Sequence, residues 1–425
     1  MDHLVSFLFF VEFSLVFICF LYNLFSVGFS FKLGITFGLL FFIFLPILVM
    51  IITGKIPLLI SGFGNTGITD VILKENIKSS LVLLLFIFSI IVYLYFPLIK
   101  IKKPLKTTFE PLISSYFYSY ALGMLIVFIG SGLFKGGNWY DNRHNFFESS
   151  GQLAVLIAFV LNSTKILIIA SLFYKWLKKD YTIIKFLCYT VLFVLFDMFI
   201  SGNRIYLFCT AIGICFIFLK RFPKKMLLLS PIFLPLIFFM GYFASIFKHI
   251  RGPLFEKGLP TYDIFKESLL RAISLEPPSS SFFLEISESI NVNVLYEIFN
   301  RYDNFLYGAT YIKPLFFYFP RSIWTSKPES ITIIAANNFG GASLVTTIIG
   351  EIYMNFYFFG VVILPFLLLF LDYIFSKSLR SFGNISGIIL FIFGILIFRM
   401  PFSDELLVFI FLLLILKGTK WLNEH

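Results

Sequence analysis

Apolar runs of about 20 residues follow one another along the chain, the length needed to cross the hydrocarbon core of a bilayer as a helix. The pattern predicts eleven membrane spans, near residues 4–27, 32–52, 79–99, 114–134, 152–174, 183–200, 204–219, 226–247, 346–374, 385–398 and 406–416. The last two are short and either tilt little or are partly re-entrant. The fold class expected is an all-α polytopic membrane protein with one large loop. That loop, residues 248–345, separates residues 1–247 (spans 1–8) from residues 346–425, which carry spans 9–11 and the C-terminus.

Inside the loop the pattern changes. Pro260 to Arg271 and Phe282 to Asn300 set apolar residues at helical spacing among charged ones, predicting amphipathic helices that lie on the membrane or roof a cavity. Pro277-Pro278-Ser279-Ser280-Ser281 separates them as a turn. Phe316-Phe317-Tyr318-Phe319 is expected to dip towards lipid before Pro320 ends it, with Arg321 emerging at the surface beside Trp324.

Composition agrees with the pattern. A mean hydropathy of +0.93, 59% hydrophobic residues and 13% charged residues are more apolar than a water-soluble domain can bury. The four cysteines, Cys19, Cys188, Cys209 and Cys215, all fall inside apolar runs, so no disulfide framework or CxxC metal pair is expected. The first run has no basic flank ahead of it and flows into the second, so it reads as a span and not a cleavable signal peptide.

Charge then sets the orientation. Lys32 and the clusters at Lys100 to Lys106, Lys175 to Lys185, Lys220 to Lys225, Lys377 with Arg380, and Lys417 with Lys420 fall on one side by parity. Together they hold 17 of the 34 basic residues, which marks that side as cytoplasmic, with the N-terminus and the large loop outside. The loop itself carries nine basic and nine acidic residues, so the net charge of +11 is a topology signal and no nucleic-acid partner is expected.

Nucleotide chemistry has no foothold: the sequence lacks GxxxxGK[ST], a convincing GxGxxG and any cytoplasmic insertion large enough for a nucleotide-binding domain. His3, His144, His249 and His425 are scattered, so neither a metal nor another cofactor is expected. No pair of broken helices recurs in two halves, as inverted-repeat transporters often show.

Four smaller features carry two readings each. Ser201-Gly202-Asn203-Arg204 joins spans 6 and 7: Arg204 either snorkels to headgroups or, held by Asp197, receives a phosphate in its planar fork. Lys165, in mid-span after Asn162-Ser163-Thr164, must face the bundle interior or snorkel. Gly136 to His144 sets aromatics beside amides, fit either to stack on a sugar or to anchor at the interface. Glu12 in span 1 is a buried carboxyl that must be paired or protonated.

A resemblance ties several of these together. An outer SGxR after an acidic span end (Ser201 to Arg204), an Arg ahead of G-x-x-Y (Arg301, then Gly308 to Tyr311), PR-x-I-W-x-x-KP (Pro320 to Pro328) and GE-x-Y-x-N-F-x-x-x-G (Gly350 to Gly360) occur in that order. The layout, covering most of the chain, resembles the oligosaccharide repeat-unit polymerases, the Wzy-type O-antigen polymerases. One position departs: the family pattern continues its asparagine with Phe-Gly, whereas here Asn355 is followed by Phe356-Tyr357.

The resemblance implies a GT-C-like, membrane-embedded glycosyltransferase of the bacterial cytoplasmic (inner) membrane. It would move a growing glycan from undecaprenyl diphosphate to a lipid-linked repeat unit on the extracytoplasmic face, beside a flippase and a chain-length regulator. Guanidinium groups can stabilise the diphosphate leaving group without a metal, and the candidates are Arg204, Arg301 and Arg321, with Lys327 and Arg251 behind them. A carboxylate must take the acceptor proton, Glu351 first and Asp303 second. The plainer readings stand beside these: interface anchoring for Arg321, Trp324 and Lys327, a helix-ending salt bridge for Arg301-Tyr302-Asp303, and a span cap for Glu351. The competing functions are an O-antigen ligase, and a lipid-linked oligosaccharide flippase or other transporter.

Overall fold

The computed structural model describes residues 2–58, 68–95, 109–132, 142–143, 145–147, 151–201, 205–221, 242, 246–247, 250, 261–275, 284, 289–317, 319, 324, 327, 329–338 and 345–424. Helix α1 (Asp2–Tyr22) runs on through a wide π turn at Asn23–Val27. α2 (Phe31–Leu39) and α3 (Leu45–Thr53) form one 23-residue helix across a second π turn at Leu40–Phe44. β1 (Lys55–Ile56) and β2 (Val71–Ile72) pair antiparallel, Lys55 opposite Ile72, ahead of α4 (Ile77–Tyr95). Then follow α5 (Ile113–Ser131), α6 (Gly151–Leu177), α7 (Ile183–Ser201), α8 (Ile205–Arg221), α9 (Tyr262–Leu275) and α10 (Ile290–Arg301). The chain ends with α11 (Ile331–Asn338), α12 (Thr347–Phe356), α13 (Gly360–Leu379), α14 (Ile385–Leu396) and α15 (Phe402–Glu424).

The protein is thus all-α and polytopic: among the described residues, seven helices are long and apolar enough to cross a membrane. The seventh and tenth expected spans are the shorter apolar helices Ile205–Leu219 and Ile385–Leu396, and the eighth falls mostly outside the described residues. The ninth differs from expectation. Instead of one helix over 346–374, α12 and α13 are separated by a 3-10 turn at Tyr357–Phe359. Tyr357 has φ 53 and ψ −136, which breaks the helical hydrogen-bond ladder.

The chain packs as two compact units, Met1–Thr108 with Phe283–Leu407, and Phe109–Phe282 with Val408–His425. In the first unit, α1 buries the stripe Val5, Phe9, Glu12, Val16 and Cys19, a three- and four-residue spacing that leaves its remaining faces for lipid. α2 and α14 meet backbone to backbone: a Cβ on Gly34 would lie 2.2 Å from the Phe391 carbonyl and 2.8 Å from the Gly394 Cα. Only glycines permit that approach. Three helix ends meet at Lys32, whose ammonium donates to the carbonyls of Tyr93 (3.4 Å) and Leu94 (3.2 Å), while the Tyr93 hydroxyl donates to Asp372 at 2.9 Å.

Helix α10, expected on a membrane surface or over a cavity, is instead core. Every residue from Asn291 to Ile298 is buried. Its polar side chains reach partners inside the protein: Asn293 donates to the carbonyls of Ile56 (3.3 Å) and Thr69 (3.0 Å), and Tyr296 shares a 2.8 Å hydrogen bond with Ser80. Phe299, Phe86 and Tyr353 then lock α10, α4 and α12 together, with ring centroids 4.8 to 6.2 Å apart. Gly350 brings α12 close, since a Cβ there would sit 3.0 Å from Leu295.

In the second unit α5, α6, α7 and α8 pack around Trp176, stacked on Phe186 at 4.5 Å, and around Gly213, against which the Phe173 ring rests. Helix α9 keeps the surface character expected of it, with Tyr262, Leu270 and Ile273 exposed.

Candidate functional site

Arg301 closes α10. Its Nε lies 2.9 Å from Oε2 of Glu297 one turn earlier, and the other Glu297 oxygen accepts a hydrogen bond from Thr69 Oγ1 at 3.0 Å. The guanidinium is therefore paired through Nε while its side chain remains 54% exposed. Asp303, the partner a local salt bridge would have used, is exposed on the following turn. Tyr302 between them is buried, and burial, with the Asp303 carboxylate adding to it, pushes its phenol up to about 12.

The chain then turns at Gly308, whose φ of 80 favours glycine and where a Cβ would press on the Phe356 ring at 3.2 Å. Leu306 N–H donates to the Met354 carbonyl at 3.0 Å, tying this turn to α12. Thr310 sits at the centre: its hydroxyl donates to Glu351 Oε1 at 2.9 Å and accepts from Asn355 Nδ2 at 2.8 Å. Asn355 also donates to the Glu351 carbonyl, 2.8 Å away.

Glu351 is wholly buried, and its second oxygen accepts from the backbone N–H of Phe402 at 2.6 Å. It therefore caps α15, satisfying one of the N–H groups that a helix start leaves open. Tyr311 covers the cluster, with its ring centroid 5.7 Å from Phe356 and 4.8 Å from Phe402. Burial, and then the Glu351 charge, push the Tyr311 phenol up.

Lys327 is turned inward. Its ammonium donates to the carbonyls of Phe317 (2.9 Å) and Phe319 (2.8 Å), and Trp324 packs edge-on against Phe316 at 5.6 Å. The pair closes the turn that follows the 3-10 helix Lys313–Phe316. Arg204, Arg251 and Arg321 lie outside the described residues.

Asp197, expected to hold Arg204, is engaged by Lys165 at 2.7 Å, by the Tyr120 hydroxyl at 2.8 Å and by Ser201 at 3.3 Å. Lys165 thus faces the interior, over the ring of Tyr206 at 5.5 Å, and Arg143 donates a 2.9 Å hydrogen bond to the Ile200 carbonyl near the same helix end.

Compared with protein-family models, curated proteins and solved structures, the chain matches none. Among the described residues no group of three histidines, cysteines or acidic residues is placed to hold a metal ion.

Two carboxylates escaped the sequence reading. Glu297 looked like one of several water-facing acids of an amphipathic helix. Glu405, one turn into α15, is buried with neither oxygen hydrogen-bonded in the structure. Beside Asp404, at a helix start, it resembles an ordinary complement to the helix dipole. Nothing in local sequence distinguishes such a residue from a solvated one.

Proposed function

We propose that this protein polymerises lipid-diphosphate-linked oligosaccharide repeat units into a surface polysaccharide on the extracytoplasmic face of a bacterial cytoplasmic membrane. The observation that carries the reading is the Thr310 hydroxyl, which joins Glu351 and Asn355 by hydrogen bonds of 2.9 and 2.8 Å. Thr310 belongs to the G-x-x-Y element and the other two to the GE-x-Y-x-N element, so two parts of the resemblance that lie far apart in sequence share one buried node.

In the reaction proposed, an acceptor sugar hydroxyl attacks the anomeric carbon of the donor glycan, and the bond from that carbon to the diphosphate oxygen breaks. The hydroxyl proton passes to a carboxylate. Asp303 is exposed beside Arg301 and is the carboxylate that an acceptor can reach. Glu351, with both oxygens engaged, holds the Gly308 turn, α12 and the start of α15 in register. The leaving diphosphate gathers negative charge, for which Arg301 and, by resemblance, Arg204 and Arg321 supply guanidinium groups, with Arg251 behind them.

One observation favours a second reading, transport of a lipid-linked oligosaccharide: the Lys165–Asp197 pair buried within membrane-spanning helices. A single experiment separates the classes. The gene is deleted in its host, undecaprenyl-linked glycans are sized by mass spectrometry, and their leaflet is read by labelling from outside. Single repeats on the outer leaflet support the polymerase. Long unligated polymers mean a ligase, and single repeats confined to the inner leaflet mean a flippase; either overturns the proposal.

A further inference from the structure

The contact between Glu297 and Arg301 has the spacing of an ordinary helix-surface ion pair, i and i+4, which contributes little in water. Its surroundings are not ordinary. Glu297 is 7% exposed at its side chain, and a carboxylate withdrawn from water needs compensating partners. Thr69, 228 residues earlier in the chain, donates a hydrogen bond to Oε1, and Oε2 is paired with Arg301 Nε at 2.9 Å. Thr69 is itself fixed, because its carbonyl accepts from the buried Asn293 amide at 3.0 Å. A rigid frame of β2, its flank and α10 therefore ends in one guanidinium nitrogen.

Arg301 presents five N–H groups on a planar fork. Nε faces Glu297, and one N–H from each of the two terminal nitrogens forms the edge that matches two oxygens of a phosphate. We infer that Glu297 and Thr69 are positioning residues for Arg301, holding its Nε so that its terminal edge is aimed at a phosphate of the lipid-diphosphate substrate. This inference rests on the donor assigned under the proposed function. It adds the two residues that turn a flexible cation into an oriented one, lowering the conformational entropy lost on binding.

The test uses the full-length protein in lipid nanodiscs, with farnesyl diphosphate and farnesyl monophosphate as probes. Wild-type protein binds the diphosphate, and Arg301→Lys, which keeps the charge but loses the fork, binds it roughly tenfold more weakly. Glu297→Gln and Thr69→Val weaken the diphosphate by roughly tenfold and the monophosphate less, because an untethered guanidinium loses orientation and keeps its charge. Thr69→Ser retains the hydroxyl and restores wild-type affinity and selectivity. A general loss of packing would instead lower the thermal midpoint and weaken both probes alike, and that result overturns the inference. So does unchanged diphosphate binding in Glu297→Gln alongside a weakened Arg301→Lys, which leaves the donor assignment standing. If the wild-type protein binds neither probe, the donor assignment itself falls, and the inference with it.

Discussion

The Lys165 ammonium and an Asp197 carboxylate oxygen lie 2.7 Å apart, with side chains 5% and 1% exposed. Two charges placed so deep are stable only together, because either alone would be an uncompensated ion in a medium of low dielectric. Lys165→Met or Asp197→Asn alone is expected to cost about 3–5 kcal/mol. The double substitution should recover most of that loss. Tyr120→Phe, which removes only the 2.8 Å hydroxyl contact, should cost about 1 kcal/mol. Thermal unfolding of the parent and the four variants in one detergent checks this, and strictly additive losses in the double variant would count against the pairing.

The sequence disclosed the parts of this fold that depend on its solvent. Runs of apolar residues located the first six spans within a few residues, but made the last helix eleven residues where Phe402–Glu424 is helical. It failed where polar residues find partners far away in the chain. Glu297 read as part of a water-facing stripe by periodicity, yet its partner Thr69 lies more than 200 residues earlier, as does Ile56, the partner of Asn293. Lys165 and Asp197 were each recognisable as interior charges, but their pairing depends on how α6 and α7 are rotated. The roles proposed for Arg301 and Glu351 came from motif order, and the geometry adds that Arg301 and Asp303 are exposed and Glu351 is buried.

Thr310 should matter more than an average buried threonine, since it is donor to Glu351 and acceptor from Asn355 at once. Thr310→Val leaves one Glu351 oxygen and one Asn355 N–H unsatisfied, at an expected cost of about 2–4 kcal/mol. Thr310→Ser keeps both bonds and should stay within about 1 kcal/mol of the parent. Glu351→Gln removes the charge that caps α15 and is expected to lower the thermal midpoint. If Glu351→Gln instead abolished polymerisation with no change in midpoint, Glu351 would be the base and not the organiser.

Gly34 offers a test of the α2–α14 crossing. Its added methyl would lie 2.2 Å from a backbone oxygen, a clash that no side-chain rotation relieves. Gly34→Ala is therefore expected to force the helices apart and cost more than about 3 kcal/mol, beyond the usual range for overpacking. Gly418→Ala, with nothing within 4 Å of the new methyl, is the matched control and should fold normally. Monodisperse elution of Gly34→Ala at the wild-type yield would show that the crossing is looser than the structure has it.

Glu110 links pH to stability on one side of the protein. Lys178 and Lys175 hold its carboxyl below the ordinary 4.5, while the same contact raises the Lys178 ammonium above its ordinary 10.5. The carboxyl's contribution is present above 4.5 and is lost as pH falls through the depressed folded value; that of Lys178 is present below 10.5 and is lost as pH rises through the raised one. Glu110→Gln should therefore lower the thermal midpoint slightly across the neutral range, where the contacts are intact, and converge with the parent at both extremes, a small effect because exposed pairs contribute little. A pH profile superimposable on the parent's would remove these contacts from the solution structure.

Tyr357 occupies a backbone conformation suited to glycine, φ 53 with ψ −136, at the position where the polymerase pattern has Phe-Gly. For a tyrosine this costs about 1–3 kcal/mol, which must be recovered from its ring. The ring does have partners: Phe305 at 4.8 Å, Tyr353 at 5.0 Å and Phe358 at 4.3 Å. Aromatic pairs of this kind contribute about 0.5–1.5 kcal/mol each, enough to hold the turn between α12 and α13 in place. Tyr357→Ala and Tyr357→Gly both lose the ring, but only glycine also relieves the strain. Tyr357→Gly is accordingly expected to be the more stable of the two by about 1 kcal/mol, the reverse of the order at a helical position. If alanine proved equal or better in thermal unfolding, residue 357 would be helical and α12 would run unbroken into α13.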